Sequence, residues 1–189
     1  MSTSLPISLR LYLHKGDRTK SLYIVFPEPG VVDVRREKIT PPGPGQVLCR
    51  AERSLISTGT ELYCLRGVFD PGTNWASWVQ YPFRPGYSMS ATVVDVGSEV
   101  ASVRAGDRVI ISAPHQQYLT VAPESLLPLP DEATWDEAPW WSLANQTQVA
   151  VRRADLELGE SVAVVGLGLL GQLITQYLRV AGARRVIAI

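Results

Sequence analysis

Gly166, Leu167, Gly168, Leu169, Leu170 and Gly171 form a G-x-G-x-x-G segment between the valine-rich run at residues 161–165 and an amphipathic stretch. A strand feeding such a turn and then a helix is the arrangement that receives the pyrophosphate of a dinucleotide. The first glycine lets the chain leave the strand in a tight turn. The second lets the backbone approach a phosphate, and the third lets the helix lie close to the strand. The spacing predicts a helix over residues 169–181, whose free N–H groups favour an anion, with Gly182 as its stop. Arg184 and Arg185 then lead into a second strand over residues 186–189. The alternative is a βα turn that needs glycine for its backbone alone. The acidic residue that reads the adenine ribose is expected about 20 residues beyond the glycines. That falls at or just past Ile189, so the sequence does not separate NAD from NADP.

The remaining elements must position this turn. Of the 189 residues, 46% are hydrophobic and 19% charged, with 18 basic and 18 acidic side chains. This balance suits a globular chain and gives no electrostatic footprint for nucleic acid or an anionic membrane. No apolar run reaches spanning length. Cys49 and Cys64 are too few for a disulfide framework, and a reducing, cytoplasmic setting is expected.

Residues 1–20 carry Arg10, His14, Lys15, Arg18 and Lys20 against Asp17 alone. They read as an N-terminal extension, or a start placed too far upstream, with an organelle-targeting peptide as the alternative. From residue 21 the pattern turns to short strands broken by Gly and Pro. Candidates are residues 21–26, 31–39, 46–57, 91–96, 107–111 and 117–121. They predict a compact β-barrel or sandwich-like module. Asp131 is expected to cap a short helix through Ala138, and Pro139 to open a helix running toward Asp155.

The order of PGPGQVLCRAERSLISTGTEL, FRPGYSMSATVVDVGSEVASVRAGDRVI, QQYLTVAPESLLPLPDEATWDEA and LELGESVAVVGLGLLGQ resembles the medium-chain dehydrogenase/reductase superfamily, the alcohol dehydrogenase-like group. The resemblance runs from Ser21 to Ile189. It implies an α/β fold with a β-rich module: a GroES-like β-barrel catalytic domain over residues 21–145, then the first βαβ unit of a Rossmann fold over residues 146–189. It further implies that the nucleotide domain is truncated, that NAD or NADP is the cofactor, and that a hydride moves between the nicotinamide and an alcohol, carbonyl or activated C=C substrate.

The departures from the family pattern are informative. Zinc-dependent members place a cysteine where Thr58 stands, a histidine where Tyr87 follows Gly86, and a third ligand in the stretch that here reads APWWSLANQTQ. Thr58, Tyr87, Asn145 and Gln146 are not the nitrogen, sulfur or carboxylate donors that zinc requires. The four-cysteine structural-zinc lobe is also missing, so no zinc is expected.

Thr60 matches the hydroxyl that joins the proton relay of the alcohol dehydrogenases. It either serves a substrate oxygen or bonds its own backbone at a helix start. The Tyr87 phenol either faces the hydride-transfer site or fills the volume of the lost zinc, and Thr58 reads as packing. His115 reads as an ordinary surface or core histidine, or as a catalytic group near the interdomain cleft, and Arg84 as an exposed loop arginine, or as a receptor for an anionic substrate group. Trp75, Trp78, Tyr81 and Phe83, with Trp140 and Trp141, suit an apolar or ring-containing substrate or else cover the core.

Three hypotheses stand. One is a zinc-independent NAD(P)-dependent oxidoreductase, inactive as the 189-residue chain alone. Another is a catalytically incomplete fragment or non-enzymatic GroES-like binding module. The third is a subunit whose nucleotide domain a partner completes. The expected partners are a small-molecule substrate and, as an open option, further copies of the chain.

Overall fold

A computed structural model describes residues 19–189, so the expected N-terminal extension lies outside the described residues up to residue 18. The described chain opens with a hairpin of β1 (Lys20–Val25) and β2 (Asp33–Lys38), paired antiparallel from Lys20↔Lys38 to Val25↔Asp33. The first strand therefore begins at the last residue of the expected extension.

The β-rich module is a five-stranded antiparallel sheet ordered β6-β3-β4-β5-β7. Its strands are β3 (Val47–Ser54), β4 (Met89–Val96), β5 (Arg108–Ile111), β6 (Tyr118–Val121) and β7 (Leu127–Pro128). Alternation with a period of two turns one side of each strand inward. Val47, Cys49, Met89, Ala91 and Val93 are no more than 1% exposed, and Val109, Ile111 and Leu119 join them in the core. Each large side chain buried this way contributes roughly 1.5–3 kcal/mol. The hairpin is tied to the segment before β6. The Leu22 N–H donates to Gln117 Oε1 at 3.1 Å, and the Ile24 N–H donates to the His115 carbonyl at 2.9 Å.

Two helices lie between β3 and β4: α1 (Thr58–Arg66) and the single turn α2 (Trp75–Trp78). Only a helix start near Thr60 was expected from the sequence, and residues 75–78 read as a loop.

No helix runs from Asp131 to Ala138. The chain turns at residues 131–132, and the real start signal is three residues later. The Glu137 carboxylate accepts from the Thr134 N–H (2.9 Å) and hydroxyl (2.8 Å), while the Thr134 oxygen accepts from the Glu137 N–H (3.2 Å). This is the reciprocal bonding of a capping box. It feeds a 3-10 turn at Ala138–Trp140, and from there α3 (Trp141–Arg153).

The C-terminal unit is β8 (Ser161–Val164), α4 (Leu169–Val180) and β9 (Arg185–Ala188), with β8 and β9 paired in parallel. The helix ends one residue before its expected limit and the second strand starts one residue earlier. Val151 of α3, Val164 and Leu178 form the small core of this unit. The architecture is the expected α/β fold, a β-rich module followed by a strand–helix–strand unit.

Cys49 sits at the centre of the sheet with no exposed surface, and burial pushes its thiol up from 9.0 to about 11. The unfolded chain ionises this thiol first, so the stabilisation is fully present below pH 9.0 and is lost as pH rises through about 11. Denaturant titrations between those limits are expected to show stability falling with pH. A Cys49→Ala variant should lose most of that slope; an unchanged slope would place its origin elsewhere.

Candidate functional site

The glycine turn has the geometry its spacing predicts. Gly166 takes φ +93°, a left-handed conformation that side-chain-bearing residues rarely adopt. Gly168 is the N-cap of α4. A Cβ on Gly171 would lie 1.9 Å from the Gly166 carbonyl oxygen, so only hydrogen fits where the helix meets the turn. The α4 N–H groups open onto a cavity of about 430 Å³. One wall is the turn itself. The opposite wall is the N-terminus of α1: Thr58, Gly59 and Thr60.

A second cavity, of about 260 Å³, lies on the other side of α1. Thr60, Glu61, Cys64, Trp78, Phe83 and Tyr87 are among the residues that line it. Thr60 therefore borders both spaces, with its hydroxyl residue between the glycine cradle and the phenol-bearing pocket. Tyr87 is half-buried, and Thr58 is exposed on the cradle wall rather than packed.

The aromatic residues at 75–83 divide between a core and a cavity wall. Trp75, Tyr81 and Phe83 pack on Phe26, Cys64 and Val79 as a second core, and the Tyr81 hydroxyl donates to the Cys64 carbonyl. Trp78, 5.4 Å from Phe83 in an edge contact, lines the smaller cavity together with it.

Arg84 is not a free anion receptor. Its guanidinium makes two bonds to the Glu37 carboxylate, at 2.6 and 3.1 Å, and lies 3.7 Å over the Tyr23 ring. The hydrogen bonds it donates to Glu37 hold it more firmly protonated than an ordinary arginine. Burial, with the negative charge of Glu61 adding to it, pushes the Cys64 thiol up, so it faces the cavity as a neutral group.

His115 is neither a surface residue nor an ordinary core residue. It is 5% exposed and Glu61 is 6% exposed, and their Nε2 and Oε2 atoms are 2.8 Å apart. His115 Nδ1 lies 2.9 Å from Ser54 Oγ, and Glu61 Oε1 accepts from the Ser57 N–H at 2.7 Å. Glu61 thus satisfies a backbone donor at the start of α1 while pairing with a residue 54 positions away. The sequence reading missed this carboxylate. A local signal was present, an acidic residue four positions after the serine that opens α1, but its histidine partner is set by tertiary structure alone.

The positions that carry zinc ligands in the resembling enzymes do not converge on a donor set. Asn145 and Gln146 are exposed on α3, and Ser88, after Tyr87, donates to the Pro139 carbonyl. Among the described residues, no group of three or more His, Cys, Asp or Glu side chains lies close enough to hold a metal ion.

Residues 43–131 match the alcohol dehydrogenase GroES-like domain. The chain is 28% identical over 135 residues to (R,R)-butanediol dehydrogenase of Bacillus subtilis (strain 168), a match covering 57% of this chain and 39% of that protein. The solved structure of 2R,3R-butanediol dehydrogenase from Bacillus subtilis superposes with a TM-score of 0.76 at 22% identity, over 89% of this chain and 57% of that one. A short chain alcohol dehydrogenase from E. coli CFT073, solved with NADH, superposes with a TM-score of 0.75 at 18% identity, over 90% of this chain and 56% of that one. CAD from Helicobacter pylori, solved with NADP(H), gives 0.71 at 16%, over 90% and 58%. The chain thus spans between about two-fifths and three-fifths of the length of these proteins. The fold is that of a GroES-like, β-rich domain running into a strand–helix–strand unit.

Gly86, beside Tyr87, adopts φ +104°, and a Cβ there would fall 2.7 Å from the His115 backbone nitrogen. Gly86→Ala is therefore expected to cost about 2–4 kcal/mol in urea unfolding. A cost below about 1 kcal/mol would mean that this contact does not hold the pocket wall in place.

Proposed function

We propose that the chain carries the catalytic module and the phosphate-binding turn of an NAD(P)-dependent oxidoreductase that acts on an alcohol or carbonyl, or an activated C=C bond, without catalytic zinc. The observation that carries this reading is the position of Thr60, shared between the glycine cradle and the pocket lined by Tyr87, Trp78 and Phe83.

The cradle fits a dinucleotide. Gly166, Gly168 and Gly171 leave no side chain between the α4 N-terminus and an entering pyrophosphate, and the N–H groups there favour its charge. When bound, the nicotinamide would supply the hydride chemistry. The chain's own contribution is to orient the substrate. Thr60 and Tyr87 offer hydroxyls to a substrate oxygen and can exchange a proton with it. Trp78 and Phe83 form an apolar wall suited to a hydrophobic or ring-containing substrate.

Zinc does not fit the residues at hand, since Thr58 and Tyr87 would have to bind it through neutral hydroxyls. A second reading, in which another polypeptide completes the nucleotide unit, is favoured by the exposure of Val165 (82%) and Ile187 (53%) beside the parallel strands.

Fluorescence titration of the full chain with NADH and NADPH tests the cofactor claim. Binding is expected, with Gly171→Val weakening it by at least tenfold; equal affinity in the variant would reject the cradle. Binding that requires a longer homologous chain would favour the second reading. Thr60→Val is expected to lower turnover of a secondary alcohol by about 10²-fold with cofactor affinity unchanged. Metal analysis of the purified protein checks the zinc claim, and one equivalent per chain would overturn it.

A further inference from the structure

The hydroxyls of Thr60 and Tyr87 can pass a proton but not keep it, since each donates one proton and must regain one. A site that handles alcohol and carbonyl oxygens therefore needs a group that stores a proton and a path that returns it to water. Glu61 lines the same pocket as Thr60 and Tyr87. Behind it, away from the pocket lining, stands His115, with Nε2 at 2.8 Å from Glu61 Oε2. Behind His115 stands the Ser54 hydroxyl, 2.9 Å from Nδ1. Glu61 and His115 are almost fully buried, whereas Ser54 is exposed at the end of β3. These contacts form a continuous file of three proton-exchanging groups from the pocket to the solvent-facing surface.

We infer that Glu61, His115 and Ser54 form a proton conduit between the substrate pocket and solvent. The inference rests on the oxidoreductase reading for its purpose but not for its existence. In the oxidative direction a nicotinamide held at the glycine cradle would supply the hydride chemistry, taking the carbinol hydrogen together with the electron pair of its C–H bond. The substrate O–H bond breaks, the carbonyl forms, and the hydroxyl proton passes to the Glu61 carboxylate. Glu61 then hands that proton to His115 Nε2 as the imidazole gives the proton on Nδ1 to the Ser54 oxygen and the Ser54 hydroxyl releases its own proton to water. One proton enters at Glu61, one departs at Ser54, and reduction runs the same exchange inward. Glu61 is the member that faces substrate. His115 and Ser54 act through it.

The geometry suits conduction as well as structure. Oε1 of Glu61 is held by the Ser57 N–H, which fixes the carboxylate plane and leaves Oε2 aimed at the imidazole. The ring is fixed in turn by its backbone. The His115 N–H donates to the Pro85 carbonyl at 2.9 Å, its carbonyl accepts from the Ile24 N–H at 2.9 Å, and Gly86 packs against the ring with no side chain between. A file locked at both ring nitrogens changes state by moving protons rather than side chains.

The test uses the full chain labelled with 15N in its two histidines, His14 and His115, and reads solvent exchange of the His115 ring N–H by NMR at constant pH. Ser54→Thr keeps the hydroxyl and is expected to exchange within twofold of the wild type. Ser54→Val has nearly the same shape without the hydroxyl and is expected to exchange at least threefold more slowly. Ser54→Ala serves as a second hydroxyl-free variant should valine disturb the strand. Slowing of less than threefold in a folded hydroxyl-free variant overturns the conduit. In parallel, NADH and NADPH titrations of the same samples report on the cofactor cradle. A chain that binds neither nucleotide but shows the hydroxyl-dependent exchange retains the conduit and loses the oxidoreductase reading. A chain that binds nucleotide but exchanges at one rate in all variants does the reverse.

Discussion

The pairing of β3 with β4 governs the rest of the molecule. Its register, with Cys49 opposite Val93 and Ser54 opposite Met89, places the most deeply buried side chains face to face. It also sets where the chain leaves the sheet. β3 delivers Ser54 and then the start of α1, while β4 begins just after Gly86, Tyr87 and Ser88. Thr60, Glu61 and Tyr87 all sit close in sequence to that one end of the pairing. Irregularities between Leu48 and Cys49 and between Ala51 and Arg53 let both strands keep their apolar faces inward while the ladder bends. A slip of one residue would turn the core outward and carry the functional segments away from each other.

Much of this was legible in the residues. Alternation in residues 46–54 and 89–96 identifies strands because a half-buried sheet demands a period of two, and the glycine turn was readable because its backbone demands are local. What escaped was tertiary. Residues 75–78 form a helical turn in which Trp75 meets Trp78 at a tilt and Trp78 meets Phe83 edge-on, contacts that no local propensity encodes. The start before α3 was misplaced because Asp131 is as good a capping residue as Thr134, and only Glu137 three positions on decides between them. The Glu61–His115 pair joins residues separated by one helix and two strands, and neither residue type announces the other.

The pair also bears on how the pocket wall tolerates a buried acidic side chain. Burying a carboxylate alone is costly, and the protein offsets this with an imidazole on one oxygen and a backbone N–H on the other. The same bonds anchor the first turn of α1, whose next residues frame the glycine cradle. Acid–base capacity and helix placement are therefore carried by a single side chain, and altering one disturbs the other.

The two cores differ greatly in size, and that difference has a dynamic consequence. The sheet buries a contiguous block of ten apolar residues, whereas the strand–helix–strand unit closes around Val151, Val164 and Leu178. Regions with few buried contacts open at lower free energy than the rest of a protein. The glycine cradle stands on the smaller of these two cores. Occupancy of the cradle would then tighten its own scaffold, so that affinity for an anionic guest and the local order of the unit rise and fall together.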